Sequence, residues 1–190
     1  MSEGRRYTTG IFGGSFNPVH NGHIALCEAL VERGIVDSVW LTLSPLNPLK
    51  AHPEELIADS SRLDMLRIAT EGRKGLEVCD IELTMPRPSY TINTLQTLAR
   101  LYPESDFRLI IGSDNMLVFD RWKDHELIME RFRPIVYPRP GYPCSEAIDG
   151  LPEFAVSSTE IRQMIGEGRE VNSLLPPGVT EYIKDNNLYS

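Results

Sequence analysis

The stretch "GGSFNPVHNGHIAL", residues 13–26, places two histidines, His20 and His23, three positions apart behind a glycine pair. Just before it, "YTTGIFGG" (7–14) reads as a β-strand that breaks at its glycines. Just after it, Ile24, Cys27, Leu30 and Val31 form a helical apolar stripe, stopped by Gly34. A strand, a glycine turn and a helix start make an anion site, because unpaired backbone N–H groups and the helix dipole face one point. Imidazoles in the first turn can donate to phosphate oxygens and, when protonated, offset the charge of a phosphoryl transition state. Three readings of the pair stay open on these residues alone: phosphate contact, a cap or core role, and metal ligation. No third ligand stands nearby, which weakens the metal. No Walker lysine follows, and Gly10, Gly13 and Gly14 do not make the dinucleotide fingerprint.

Outward from this stretch the pattern alternates. "SVWLTLSP" (38–45) is β-branched and closes at Pro45, and "SSRLDMLRIATEG" (60–72) reads as a helix capped by Ser60 or Ser61. "LEVCDIEL" (76–83) predicts a third strand and "SYTINTLQTLARLYP" (89–103) a helix. "DFRLIIGSDN" (106–115) is almost continuously apolar up to Gly112, as in a strand covered on both faces. "HELIMERF" (125–132) predicts a short helix, and "RPIVYPRPG" (133–141) a strand ended by proline and glycine. "FAVSSTEIRQMIGEG" (154–168) predicts a last strand and helix, and "PPGVTEYIKDNN" (176–187) a terminal helix entered through proline. Strand and helix alternating throughout imply an α/β fold: a Rossmann-like, doubly wound, mainly parallel sheet flanked by helices. Ligands of such sheets sit beyond the carboxyl ends of the strands, where the His20 stretch, "GSDN" and "SSTEIR" all fall.

The 190 residues suit one domain, with the helical part from about 155 to 190 completing it. Composition is that of a soluble globular chain, and a net charge of −8 argues against a nucleic-acid partner. An acidic protein can still carry a locally positive pocket for a small anion. Cys27, Cys79 and Cys144 are odd in number and lack paired zinc spacing, as expected of buried or half-buried thiols in a reducing compartment. "MSEGRRYTTG" has no apolar signal region, and no run is long enough for a membrane span. These features together predict a cytoplasmic enzyme-sized domain with no membrane partner.

"SSTEIR" (157–162) carries two compatible readings. Ser157 with Glu160 three residues later is a capping box. Ser158, Thr159 and Arg162 would at the same time offer hydroxyls and a guanidinium to a phosphate chain. Taken alone, Arg162 would more often be a solvated surface residue, and a helix cap for Asp114 and a core position for Trp122 stay open as alternatives.

In order along the chain, "GGSFNPVHNGH" resembles the His-x-Gly-His signature of the nucleotidyltransferase superfamily, and "VSSTEIR" its Ser-Ser-Thr-x-x-Arg signature. "SYTINTL", "IIGSDNMLVFDRW" and "PRPGYP" between them are similar to segments of bacterial nicotinate-mononucleotide adenylyltransferases. The resemblance runs from about residue 8 to "YIKDNNLY". It implies the nucleotidyltransferase fold and transfer of the adenylyl group of ATP to nicotinate mononucleotide, with Mg2+ accompanying ATP. By motif position it implies that His20, His23 and Arg162 act on the phosphates. Gly13, Ser15, Phe16, Gly112, Asp114, Ser158 and Thr159 would bind ATP. Tyr90 and Thr91 would meet the nicotinate group and Trp122 would stack on the pyridine ring. Where many relatives carry Pro-Pro-His-Lys, this chain has "PLNPLK" (45–50), so on weaker alignment Lys50 would be a phosphate ligand in the nicotinate-mononucleotide site. No metal ligand set in the protein is implied, the role of Arg87 stays open, and so does assembly into a homo-oligomer.

Rival readings keep the fold and change the chemistry. Nicotinamide mononucleotide or phosphopantetheine could be the acceptor, although Trp122 and "SYT" favour a pyridine carboxylate. A nucleotide-binding module without catalysis is disfavoured by intact His20, His23 and Arg162. A hydride-transferring enzyme is disfavoured by the missing glycine fingerprint.

Overall fold

Five short apolar runs, each ended by glycine, proline or a charged turn, pair side by side in the computed structural model, which describes residues 6–45, 56–154 and 156–190. They are β1 (Tyr7–Gly14), β2 (Ser38–Leu43), β3 (Leu76–Cys79), β4 (Ser105–Gly112) and β5 (Ile135–Tyr137). Every pairing is parallel and the order is β3-β2-β1-β4-β5. The chain therefore winds outward from β1 in one direction and then from β4 in the other. That reversal opens a crevice at the carboxyl ends of β1 and β4.

Helices α1 (Asn21–Glu32), α2 (Asp59–Thr70), α3 (Thr91–Leu101), α4 (Ser113–Met116), α5 (His125–Phe132), α6 (Ser158–Gly166) and α7 (Val179–Asp185) cover the sheet. Alternate strand residues feed opposite cores. Phe12, Ile110 and Leu41 pack with α1, α2, α6 and α7, while Ile11, Leu109 and Ile111 pack with α3 and α5. Burial on both faces is why β4 reads as a continuous apolar run. On α1 the predicted stripe holds for Ile24, Cys27 and Leu30, with Val31 half-buried and Leu26 fully buried as an addition. The three cysteines are free thiols, two buried and Cys144 half-buried.

Several boundaries differ from the sequence expectation, each for a physical reason. The α2 cap is Ala58, not Ser60 or Ser61, because Asp59 joins the first turn and pairs there with Arg62. β3 stops at Cys79, and Ile81–Thr84 coil into a 3₁₀ turn that carries Glu82 inward. Phe154 and Val156 form no strand; the Phe154 ring is committed instead to aromatic contacts with His20, His23 and Tyr137. The last helix is entered through Gly178 in the left-handed region (φ 83°), where any Cβ would also lie 2.8 Å from Ile68. Among the described residues no helix is long and apolar enough to cross a membrane.

Candidate active site

A cleft of about 420 Å³ opens where β1 and β4 end. Gly13, Gly14, Ser15 and Phe16 line it from the β1–α1 loop, His20 and His23 from the start of α1, Asp114 from α4, and Ser158, Thr159 and Arg162 from α6. Nearly all of the expected donor-site residues thus converge. A Cβ on Gly13 would meet nothing within 4 Å, so this glycine faces the open cleft. Phe16 is buried with φ 43°, a conformation a bulky residue adopts only where its surroundings hold it.

The histidines stack on one another, ring centroids 3.7 Å apart and planes at 30°. His20 is the N-cap of α1 and its backbone N–H donates to Nδ1 of His23 at 3.2 Å. A bond accepted at Nδ1 leaves the proton of a neutral His23 on Nε2. Asn21, between them, ties this turn to the far end of the chain: its backbone N–H donates to the Leu174 carbonyl and its Nδ2 to the Ser173 carbonyl, both at 2.9 Å. Gly22 leaves room for both rings, since a Cβ there would lie 3.0 Å from Phe154 and 3.1 Å from the His20 ring. Each letter of "HNGH" thus has its own task.

His20 is only 1% exposed, and burial lowers its pKa to about 4, with Arg139 adding to the effect. At neutral pH it is an uncharged donor, and Arg139 and Arg162 bring positive charge to the cleft. Its Nδ1 is buried with no hydrogen-bond partner among the described residues, as expected where a ligand supplies one. Arg139 stands 3.7 Å from Asp114 and lies over the Phe154 ring. Asp114 approaches Gly112 so closely that a side chain at that glycine would collide with it.

Helix α6 begins with the predicted capping box. The Ser157 hydroxyl accepts from the Glu160 backbone N–H, and the Ser157 N–H donates to the Glu160 carboxylate at 2.7 Å. The helix is clamped onto the loop opposite. Ser158 Oγ donates to the Pro18 carbonyl at 2.9 Å, and Arg162 Nη1 donates to the Asn17 carbonyl at 3.0 Å. Tyr189 closes the same corner by donating to Asn17 Oδ1 at 2.8 Å.

A smaller pocket of about 100 Å³ adjoins the cleft, with Phe12, Gly13, Asn115 and Tyr137 common to both walls. Thr91, Trp122 and Gly112 line it, so Gly112 belongs to this pocket and not to the larger cleft. The Trp122 indole N–H is buried without a partner among the described residues. Tyr90 differs from expectation. It is the N-cap of α3 and contributes backbone there, but its ring is exposed beneath Lys123 and lines neither cavity. Arg87 also stays outside, paired with Asp59 at 3.0 Å, and Lys50 lies outside the described residues.

Sequence reasoning passed over Arg139, Phe154, Arg62, Ser44 and Glu82. Arg139 stands inside "PRPGYP", where the position after β5 was the available signal. The other four gain meaning only from long-range contacts.

Comparison with known proteins agrees with this geometry. The cytidylyltransferase-like family matches residues 11–164. A relative from Bacteroides thetaiotaomicron named "Probable nicotinate-nucleotide adenylyltransferase" is 47% identical over 97% of this chain and 95% of its own. One of the same name from Bacteroides fragilis is 44% identical over 92% and 90%. The nicotinic acid mononucleotide adenylyltransferase of Plasmodium falciparum, solved with NaAD, shares the fold at a TM-score of 0.76 and 20% identity, covering 96% of this chain and 97% of that one. The chain belongs to the cytidylyltransferase-like family and, within it, to the nicotinate-nucleotide adenylyltransferases.

Proposed function

We propose that this protein transfers the adenylyl group of ATP to nicotinate mononucleotide, releasing pyrophosphate and deamido-NAD, a step of NAD biosynthesis. The carrying observation is that one cleft gathers the stacked histidines, Arg139, Arg162 and the α6 start, and shares a wall with a pocket holding Trp122 and Thr91. An anionic phosphate oxygen of the mononucleotide attacks the α-phosphorus of ATP. The bond from that phosphorus to the α–β bridging oxygen breaks, and its electron pair leaves on pyrophosphate. The nucleophile is already ionised, so no general base is needed. What the chain must supply is in-line placement and stabilisation of charge.

His20 and His23 donate to the reacting phosphates, Gly13 and Ser15 let the triphosphate approach the backbone, and Arg162 with Ser158 and Thr159 holds its far end. Asp114 faces the adenosine half. In this reading residues from about 155 onward complete the donor site of a single domain. The only acidic side chain among the described residues lining the cleft is Asp114, and no cluster of three or more His, Cys, Asp or Glu is present among them. That donor set fits Mg2+ carried by the ATP phosphates, where the ion would screen their charge. We place the reaction in the cytoplasm, where free thiols persist.

The test is pyrophosphate release with ATP and Mg2+ against nicotinate mononucleotide, its amide and phosphopantetheine. A carboxamide would turn its NH₂ toward a donor and leave that donor unpaired, at a cost of ~1–3 kcal/mol. The acid should therefore exceed the amide in kcat/KM by at least about 10-fold. Equal efficiencies would leave only a general pyridine-nucleotide adenylyltransferase, and turnover with phosphopantetheine alone would overturn the reading.

A further inference from the structure

The donor cleft and the acceptor pocket are built on different elements, one on the β1–α1 loop and one on α3, yet a single run of hydrogen bonds joins them. Its centre is Ser44, just after β2. The Ser44 backbone N–H donates to the Gly14 carbonyl at 2.9 Å, and its hydroxyl donates to Glu82 Oε2 at 2.9 Å. Its carbonyl accepts from Arg62 Nη1 at 3.0 Å. The same Arg62 nitrogen donates to the Ser15 carbonyl at 2.6 Å. On the other side, Glu82 accepts from Ser89 at 3.0 Å and from Thr94 at 2.9 Å, and these two flank Tyr90 and Thr91.

Both charged members are out of water: Arg62 is 0% exposed and Glu82 is 6%. Ser44, Glu82 and Thr94 themselves line the smaller pocket, whereas Arg62 lines neither cavity; its further bonds go to the carbonyls of Ile57 and Pro45 and to Asp59. A buried guanidinium and a buried carboxylate, each with several bonds, give a framework with few alternative arrangements.

We propose that Ser44, Arg62 and Glu82 are positioning residues that set the register between the two substrates, an inference that rests on the adenylyl-transfer reading above. In-line attack needs the mononucleotide phosphate about 3–3.5 Å from the α-phosphorus, and a shift of about 1 Å can cost ~100-fold. The network fixes the distance between the Gly14–Ser15 loop and the start of α3. Breaking it leaves each site able to bind its own substrate while the two are held out of line.

The experiment compares wild type with Ser44→Ala, Ser44→Thr and Arg62→Lys, measuring kcat together with the Kd of each substrate bound alone. Ser44→Ala cuts the link to Glu82 and keeps both backbone bonds, so it should fold. It should lower kcat by about 10- to 100-fold with the Kd of ATP within about 2-fold of wild type and, because Ser44 lines the acceptor pocket, with a change in the Kd of the mononucleotide well below the loss in kcat. Ser44→Thr, which keeps the hydroxyl, should restore turnover. Arg62→Lys, at a residue that lines neither cavity, should show the same split if it folds. Unchanged kcat in folded Ser44→Ala overturns the proposal, and so does a loss explained by weaker binding of one substrate. Wild type inactive with nicotinate mononucleotide but active with another acceptor counts against the function alone, and the variant ratios are then read on that acceptor. No turnover with any acceptor overturns both.

Discussion

Gly22 stands between the two histidines, where a larger residue would push its neighbours by a few tenths of an ångström. A Cβ at this position would press on the His20 ring from 3.1 Å and on Phe154 from 3.0 Å, tighter than ordinary van der Waals contact. Alanine is the better helix former by up to ~1 kcal/mol, so the two effects on folding oppose one another. Gly22→Ala should therefore keep its Tm within a few degrees while kcat falls by about 10-fold or more, because His20 has to move. A variant with full turnover would mean that His20 tolerates displacement. The pKa of His20 adds a second residue-scale expectation. Burial lowers it to about 4 in the folded chain, against an ordinary 6.5 when unfolded. Above pH 6.5 neither state holds the proton. Between 6.5 and 4 the unfolded chain takes it up and the folded chain does not, so stability falls with pH across that window. The full effect is on the order of 3 kcal/mol. Urea titrations at several pH values should show a steeper loss in wild type than in His20→Asn, and parallel curves would assign the acid sensitivity to other groups.

At the scale of elements, the start of α6 joins a cap to a clamp. Removing the Ser157 hydroxyl loses the bond from the Glu160 N–H, which at a helix N-cap costs ~1 kcal/mol, or about 2–4 °C in Tm for a chain of this size. The same helix start holds Ser158 on Pro18 and Arg162 on Asn17, so Ser157→Ala should also raise the KM for ATP several-fold. A lowered Tm with an unmoved KM would show that this helix start does not hold the donor phosphates. The capping box was legible in sequence because its parts are three residues apart. So were α1 and α5, whose apolar periodicity is local, and so was the convergence of the glycine turn, the histidines and Arg162, which a doubly wound sheet imposes. Elements governed by distant partners were not legible. "FAV" has strand composition, yet Phe154 is held by three rings from other parts of the chain. "LEVCDIEL" breaks after Cys79 because Glu82 is drawn to hydroxyls from β2's end and from α3. Arg62 reads as one charge on an amphipathic helix, and only the folded chain shows that no water reaches it. Tyr90 was expected beside the ligand, but its ring is exposed beneath Lys123 and it lines neither cavity.

At the scale of the whole molecule, the reversal of winding between β1 and β4 explains why two substrates can meet at all. The strand ends contribute a common wall, including Phe12, Gly13 and Tyr137, with the phosphate cleft on one side and the Trp122 pocket on the other. On the proposed function, reaction would take place across that wall, and each side should be separable by mutation. Trp122 packs against Phe119 at 5.4 Å between ring centroids and lines the smaller pocket of about 100 Å³. On the same proposal, a platform of this kind would read the pyridine ring, not its substituent, whereas the N–H groups at the start of α3 would read the substituent. Trp122→Ala should therefore raise the KM for the acid and the amide mononucleotides by a similar factor, about 10-fold or more for the loss of one aromatic contact of ~1.5 kcal/mol. The preference for the acid should survive, and the KM for ATP should stay within about 2-fold because no part of Trp122 reaches the larger cleft. Trp122→Phe keeps a ring and should recover most of the loss for both mononucleotides. Steady-state kinetics with each substrate varied in turn checks all of this. A collapse of the acid preference in Trp122→Phe would make the indole N–H the reader of the carboxylate, and a raised KM for ATP in Trp122→Ala would show that the two cavities do not act separately.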